Sequence, residues 1–124
     1  EAETAPAVKE KFLVASSNDT RRSRSLTGKP ARMLRTPWTD AWEEKDAPAA
    51  LPMPLQSMLV ADAQRRIHRL AHQPGSGANQ LVTYFVGQVV GQMNVAKPTR
   101  MVVSEMIEEF VDTMERLESL VAAE

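Results

Sequence analysis

Two histidines, His68 and His72, stand one helical turn apart, a spacing at which a pair of imidazoles can chelate zinc. The glutamate that would complete an HExxH motif is absent and Arg69 lies between the pair, so a metal centre is the lesser reading. No glycine-rich loop carries a Walker-type lysine, no GxGxxG follows a strand, and no GxSxG nucleophile elbow occurs. With no cysteine, disulfides and thiolate ligands are excluded. A basic stretch, Arg21, Arg22, Arg24, Lys29, Arg32 and Arg35, has no acid among its members and could track phosphates. No aromatic side chains interleave with it to stack bases, so nucleic acid is not the expected partner. Taken alone, these residues hold no self-sufficient catalytic constellation.

The elements that would position them read as follows. In 7–16, Val8, Phe12 and Leu13 share one helical face, which predicts a short amphipathic helix stopping at Ser17-Asn18-Asp19. From Thr20 the pattern becomes that of two extended arms around a Thr27-Gly28-Lys29-Pro30 turn, a basic β-hairpin over 20–37. Thr39 is positioned to cap a short helix over 40–45, with Trp38 and Trp42 four residues apart as packing anchors. Three prolines in 46–54 predict an extended connector. A helix is then expected over 55–72, with Leu55, Met58, Leu59, Ala63, Ile67, Leu70 and Ala71 as its apolar set and Arg65, Arg66 and Arg69 near its C-terminal end. The run 80–90 is ambiguous: Val82 to Val86 favour a strand, the residues after them a helix, and Gly87 and Gly91 allow turns or close approach.

The longest helical pattern runs from Pro98 to Ala122, about 37 Å if wholly helical. Val102, Val103, Met106, Ile107, Phe110, Met114, Leu117, Leu120 and Val121 line one face, which requires a partner, so Phe110 is expected to be buried. Pro98 suits the first turn, and Thr99 or Asn94 could cap it. The opposite face carries Glu105, Glu108, Glu109, Asp112, Glu115 and Glu118 and reads as solvated. The methionines read as adaptable core filling.

At 124 residues with a formal net charge of -1, the chain is the size of one domain with a modest core. The charge is segregated, basic in the hairpin and acidic in the last quarter, so the two regions are expected to attract one another. The fold class expected is mainly α with a short β-hairpin, in four segments: 1–19, 20–37, 38–54 and 55–124. No apolar run approaches membrane-spanning length and no signal-peptide pattern is present, so no membrane is expected and a cytoplasmic location is the default. The sequence begins at Glu1 without a methionine, which leaves processing, a domain or a fragment open.

The order of segments carries more than any one motif. KEKFLVASSNDT, RSLTGKPARMLRTPWTDAWE, PAALPMPLQSMLV and VGQVVGQMN, followed by a closing amphipathic helix, resemble the C-terminal portion of the nitronate monooxygenases, formerly 2-nitropropane dioxygenases. The most specific piece is Thr27-Gly28-Lys29-Pro30-Ala31-Arg32, similar to the family's Thr/Ser-Gly-basic-Pro-Ala-Arg core, and Gly87-Gln88 resembles its late Gly-Gln motif. The resemblance spans nearly the whole chain. It implies a flavoenzyme on a (β/α)8 TIM barrel that binds FMN and oxidises alkyl nitronates with O2. The barrel strands, phosphate-binding loops and catalytic histidine would all precede the matched region.

On that resemblance the chain is a helical extension after the missing barrel, covering or bracing an active site at the C-terminal ends of the strands. It would be inactive and flavin-free alone, its partner being the barrel of its own longer polypeptide. Neither His68 nor His72 matches a motif position, so no catalytic residue is carried over. Tyr84, Gly87 and Gln88 are the candidates for lining the site mouth, since glycine beside an amide lets backbone and a neutral donor-acceptor group approach a ligand. The bland alternative is a helix-entry turn with Gln88 in solvent. Arg32 is expected in an ion pair or capping backbone carbonyls. Two other classes remain open, a non-enzymatic helical interaction module and a nucleic-acid-binding hairpin, and flavin enoyl reduction is the neighbouring activity.

Overall fold

In the computed structural model, which describes residues 6–122, the chain is mainly helical with one two-stranded antiparallel hairpin. It divides between Asn94 and Val95 into two compact units, each described here by itself.

The larger unit begins with α1 (Pro6–Val14). A 3-10 turn at Ser17–Asp19 ends it, held by Asp19, whose carboxylate accepts from the Ser16 N–H at 2.8 Å and the Ser16 hydroxyl at 2.7 Å. These bonds hold the Asp19 carboxyl below its ordinary pKa. Strands β1 (Thr20–Ser23) and β2 (Ala31–Leu34) pair antiparallel, Thr20 opposite Leu34 and Ser23 opposite Ala31. Gly28 takes φ +80° in the loop between them, a left-handed conformation that favours glycine. Helix α2 (Pro37–Trp42) starts three residues before the expected position. Pro37 occupies its first turn, and the Thr39 hydroxyl accepts from the Thr36 N–H at 2.9 Å and donates to the Thr36 carbonyl at 2.8 Å. Trp38 and Trp42 pack with ring centroids 6.1 Å apart.

The proline-rich connector forms no helix or strand between α2 and α3 (Leu55–Leu70). The expected face holds at Ile67 and Ala71, both buried, and fails in the first turns of the helix. Helix α3 buries Gln56, Val60 and Ile67, while Leu55, Met58 and Leu59 are 50%, 71% and 60% exposed. The decisive residue is Gln56, whose Nε2 donates to the Ser25 carbonyl at 2.9 Å and whose Oε1 accepts from the Leu51 N–H at 3.0 Å. That amide ties α3 to both the hairpin loop and the connector, and its fixed direction turns the three apolar neighbours outward.

The ambiguous run resolves into three short pieces: α4 (Ala78–Leu81), an extended stretch, and a 3-10 turn at Gln88–Gln92. The stretch lies beside β2, with the Leu34 N–H donating to the Tyr84 carbonyl at 3.1 Å, the Val86 N–H to the Arg32 carbonyl at 3.1 Å, and Met33 bridged to Phe85. Two apolar clusters form the core. Val8, Ile67, Ala71 and Val82 make one; Ala15, Leu34 and Val90 make the other; Phe12 packs against both. The Lys11 ammonium donates to the Val82 carbonyl at 2.7 Å, and partial burial pushes its pKa below the ordinary lysine value.

The smaller unit is built on α5 (Thr99–Val121), close to the expected span, with Lys97 paired to Glu105 at 2.7 Å. Neither Thr99 nor Asn94 caps it by a side-chain bond, and the Asn94 amide donates instead to the Gly91 carbonyl. Its apolar face is correctly periodic but not buried: α5 has no buried residue and Phe110 is 64% exposed. The methionines divide accordingly. Met33 is fully buried, whereas Met53, Met58, Met93, Met101, Met106 and Met114 are exposed, contrary to the core-filling expectation. No helix among the described residues is long and apolar enough to cross a membrane.

Candidate functional site

The hairpin loop, α3 and the extended stretch enclose a cleft of about 330 Å³. Leu26 and Thr27 come from the loop, Ser57, Val60, Ala61, Gln64 and His68 from α3, and Thr83, Tyr84 and Phe85 from the stretch beside β2. The α3 contribution recurs at intervals of four and three, so Ser57, Ala61, Gln64 and His68 fall on one strip of the helix.

Most hydroxyls here serve the fold. Ser57 donates to the Leu26 carbonyl at 3.2 Å, Thr27 to the Lys29 carbonyl at 3.2 Å, and Thr83 to the Leu34 carbonyl at 2.7 Å. The Gln64 Nε2 differs: it is buried and has no hydrogen-bond partner among the described residues. Together with the His68 imidazole and the half-exposed Tyr84, it gives the cleft hydrogen-bonding capacity within apolar walls. Tyr84 is set by edge-on packing against Phe12 and Phe85, at centroid distances of 6.3 and 6.4 Å.

The structure separates the three residues singled out from the sequence. Tyr84 lines the cleft; Gly87 and Gln88 do not, and both are exposed. They lead into the 3-10 turn, where the Ser17 hydroxyl donates to the Gln88 carbonyl at 2.7 Å. Gly91 in that turn lies close against Ser17, since a Cβ there would stand 2.8 Å from both its backbone N and its hydroxyl. Of the two histidines, His68 lines the cleft, whereas His72 lies beyond the end of α3 at Leu70 and does not line it. Gln64 was missed from the sequence, although its four-residue spacing to His68 was the available signal.

The basic hairpin is partly neutralised within its own unit. Asp40 of α2 accepts from Arg21 at 2.7 Å and Arg35 at 3.0 Å. Among the described residues Arg32 makes neither the ion pair nor the carbonyl cap expected of it; its guanidinium donates to the Thr20 hydroxyl at 2.8 Å across the strand pair. Among the described residues, neither lysine nor arginine lines the cleft, so it offers a flavin phosphate no cationic side chain.

The chain is 61% identical over 121 residues to a Mycobacterium tuberculosis protein named "Putative monooxygenase Rv1533". The match takes in 98% of this chain and 32% of that relative, so the chain spans about a third of the length of the curated relative it matches. No family model matches the chain. No solved structure matches it.

Proposed function

We propose that the chain is the C-terminal portion of a monooxygenase and, more finely, the post-barrel extension of an FMN-dependent nitronate monooxygenase that oxidises alkyl nitronates with O2. The observation that carries the reading is the match of nearly the whole chain to one third of a protein named as a monooxygenase. The ordered resemblance of four segments supplies the finer class, and the mainly helical fold with its hairpin is compatible with an appendage to a larger enzyme. Because the cleft lacks a phosphate-binding cation, the flavin is assigned to the barrel. This extension covers or braces the barrel mouth, with Tyr84, Gly87 and Gln88 on the side where substrate enters.

The test compares the longer native gene product with residues 1–124 alone. Flavin absorbance and O2 consumption with an alkyl nitronate are expected from the longer product and neither from the short chain. A flavin-free longer product overturns the reading. Stoichiometric flavin copurifying with the short chain overturns the assignment of FMN to the barrel.

A further inference from the structure

Two exposed helix faces have complementary character. On the outer face of α3, Leu55, Met58 and Leu59 project outward from the turn whose Gln56 is fully buried and hydrogen-bonded. Burying an amide while exposing three large apolar groups does nothing for the unit's own core. Further along the same face come Asp62, Arg65, Arg66 and Arg69. Arg65 pairs with Asp62 at 2.8 Å, leaving Arg66 and Arg69 as exposed cations. The face is therefore apolar at its N-terminal half and basic at its C-terminal half.

On α5, Val103, Ile107, Phe110, Met114, Leu117 and Val121 alternate at four and three residues, and each is at least 43% exposed. Met106, Val111 and Leu120 widen this stripe beyond the narrow seam of a two-stranded coiled coil, giving the breadth of a helix that packs onto a surface. Glu109 and Glu118 border it, with Glu108, Asp112 and Glu115 behind. Two α5 helices laid side by side would oppose like charges, whereas a basic-ended apolar face supplies what α5 lacks.

We infer that the chain self-associates, with the α5 stripe of one copy seated on the outer α3 face of a second. The lengths agree: α3 is about 24 Å long and the stripe from Val103 to Val121 about 27 Å. In a two-fold pair each copy gives one α5 and receives one, so the contact occurs twice, toward the area of a stable interface. The exposure of both faces is that of the 124-residue chain, and the oligomeric state is read without reference to flavin or activity.

The test is light scattering on residues 1–124 after size exclusion, from low to high micromolar concentration and at two ionic strengths. A concentration-dependent dimer that weakens with salt is expected. The paired variants Met58→Glu/Leu59→Glu and Phe110→Glu/Leu117→Glu should each abolish it while circular dichroism shows the helices retained. Arg66→Glu/Arg69→Glu and Glu109→Lys/Glu118→Lys should each weaken dimerisation, and an equimolar mixture of the two should restore it. A monomer at every concentration overturns the inference and assigns these faces to another occupant. Loss of the dimer only with the α5 variants overturns it in favour of an α5–α5 pair.

Discussion

Gly28→Ala is the sharpest test of how the hairpin loop is built. Gly28 has φ +80°, and an added Cβ would collide with the Leu51 carbonyl oxygen and stand 3.0 Å from both the Met53 N and the Pro52 carbonyl carbon. Every one of those atoms is backbone, so no side chain can swing aside. The left-handed conformation costs an alanine about 1–2 kcal/mol, and displacing packed backbone adds about 1–3 kcal/mol. Because Gln56 ties the Ser25 carbonyl to the Leu51 N–H, moving the loop off the connector also strains those bonds. The expected loss is about 2–5 kcal/mol in urea unfolding followed by tryptophan fluorescence, with the slope unchanged. A loss below about 0.5 kcal/mol, the size of a surface substitution, would show that loop and connector are not in contact and refute the reasoning.

Gln56→Leu should cost about 2–4 kcal/mol, because the Ser25 carbonyl and Leu51 N–H each lose a buried partner; an unchanged denaturation midpoint would contradict the proposed tie. Gly91→Ala should destabilise by about 1–3 kcal/mol through the clash with Ser17, and the companion Gly87→Ala, whose Cβ would meet only ordinary contacts, serves as the control. The depressed pKa of Asp19 contributes stability that is present above the unfolded value of 3.8 and lost as pH falls through the lower folded value. NMR titration should find Asp19 below 3.8, and Asp19→Asn should flatten the acid side of the stability profile; a carboxyl titrating at or above that value would remove the Ser16 bonds from the account. If the proposed function holds, Gln88→Ala in the longer product should raise KM for nitronate with a smaller effect on kcat and intact flavin content, the pattern of lost substrate binding. Lost flavin or unchanged kinetics would each count against that placement.

Local patterns were the legible part of the chain. The α1 break at Ser17-Asn18-Asp19, the hairpin, the connector and the span of α5 follow from periodicity and turn residues, which act within a few positions of themselves. What could not be read was which face a helix buries once a polar group competes for the interior. Nothing near Gln56 announces that its amide will bridge the Ser25 carbonyl and Leu51 N–H, and that single choice rotates Leu55, Met58 and Leu59 outward. Burial of α5 was inferred from amphipathicity, yet amphipathicity states only that a face can be covered, not by what. Tyr84, Gln64 and His68 meet at the cleft only through the path of β2 beside 82–86, a long-range arrangement that no local pattern announces.

The bonds from Lys11 to the Val82 carbonyl and from Ser17 to the Gln88 carbonyl each span 71 residues. Val8 and Phe12 likewise find their apolar neighbours near Val82 and Val90. The larger unit is thus fastened by its own two ends, and loop-closure entropy must be met before the first helix gains anything from docking. A ribosome that has delivered residues only as far as the hairpin has released α1 before its apolar neighbours near Val82 and Val90 exist. Folding of this unit waits for the Tyr84 stretch to emerge, and a chain stopped before Val82 leaves the core open rather than slightly weakened.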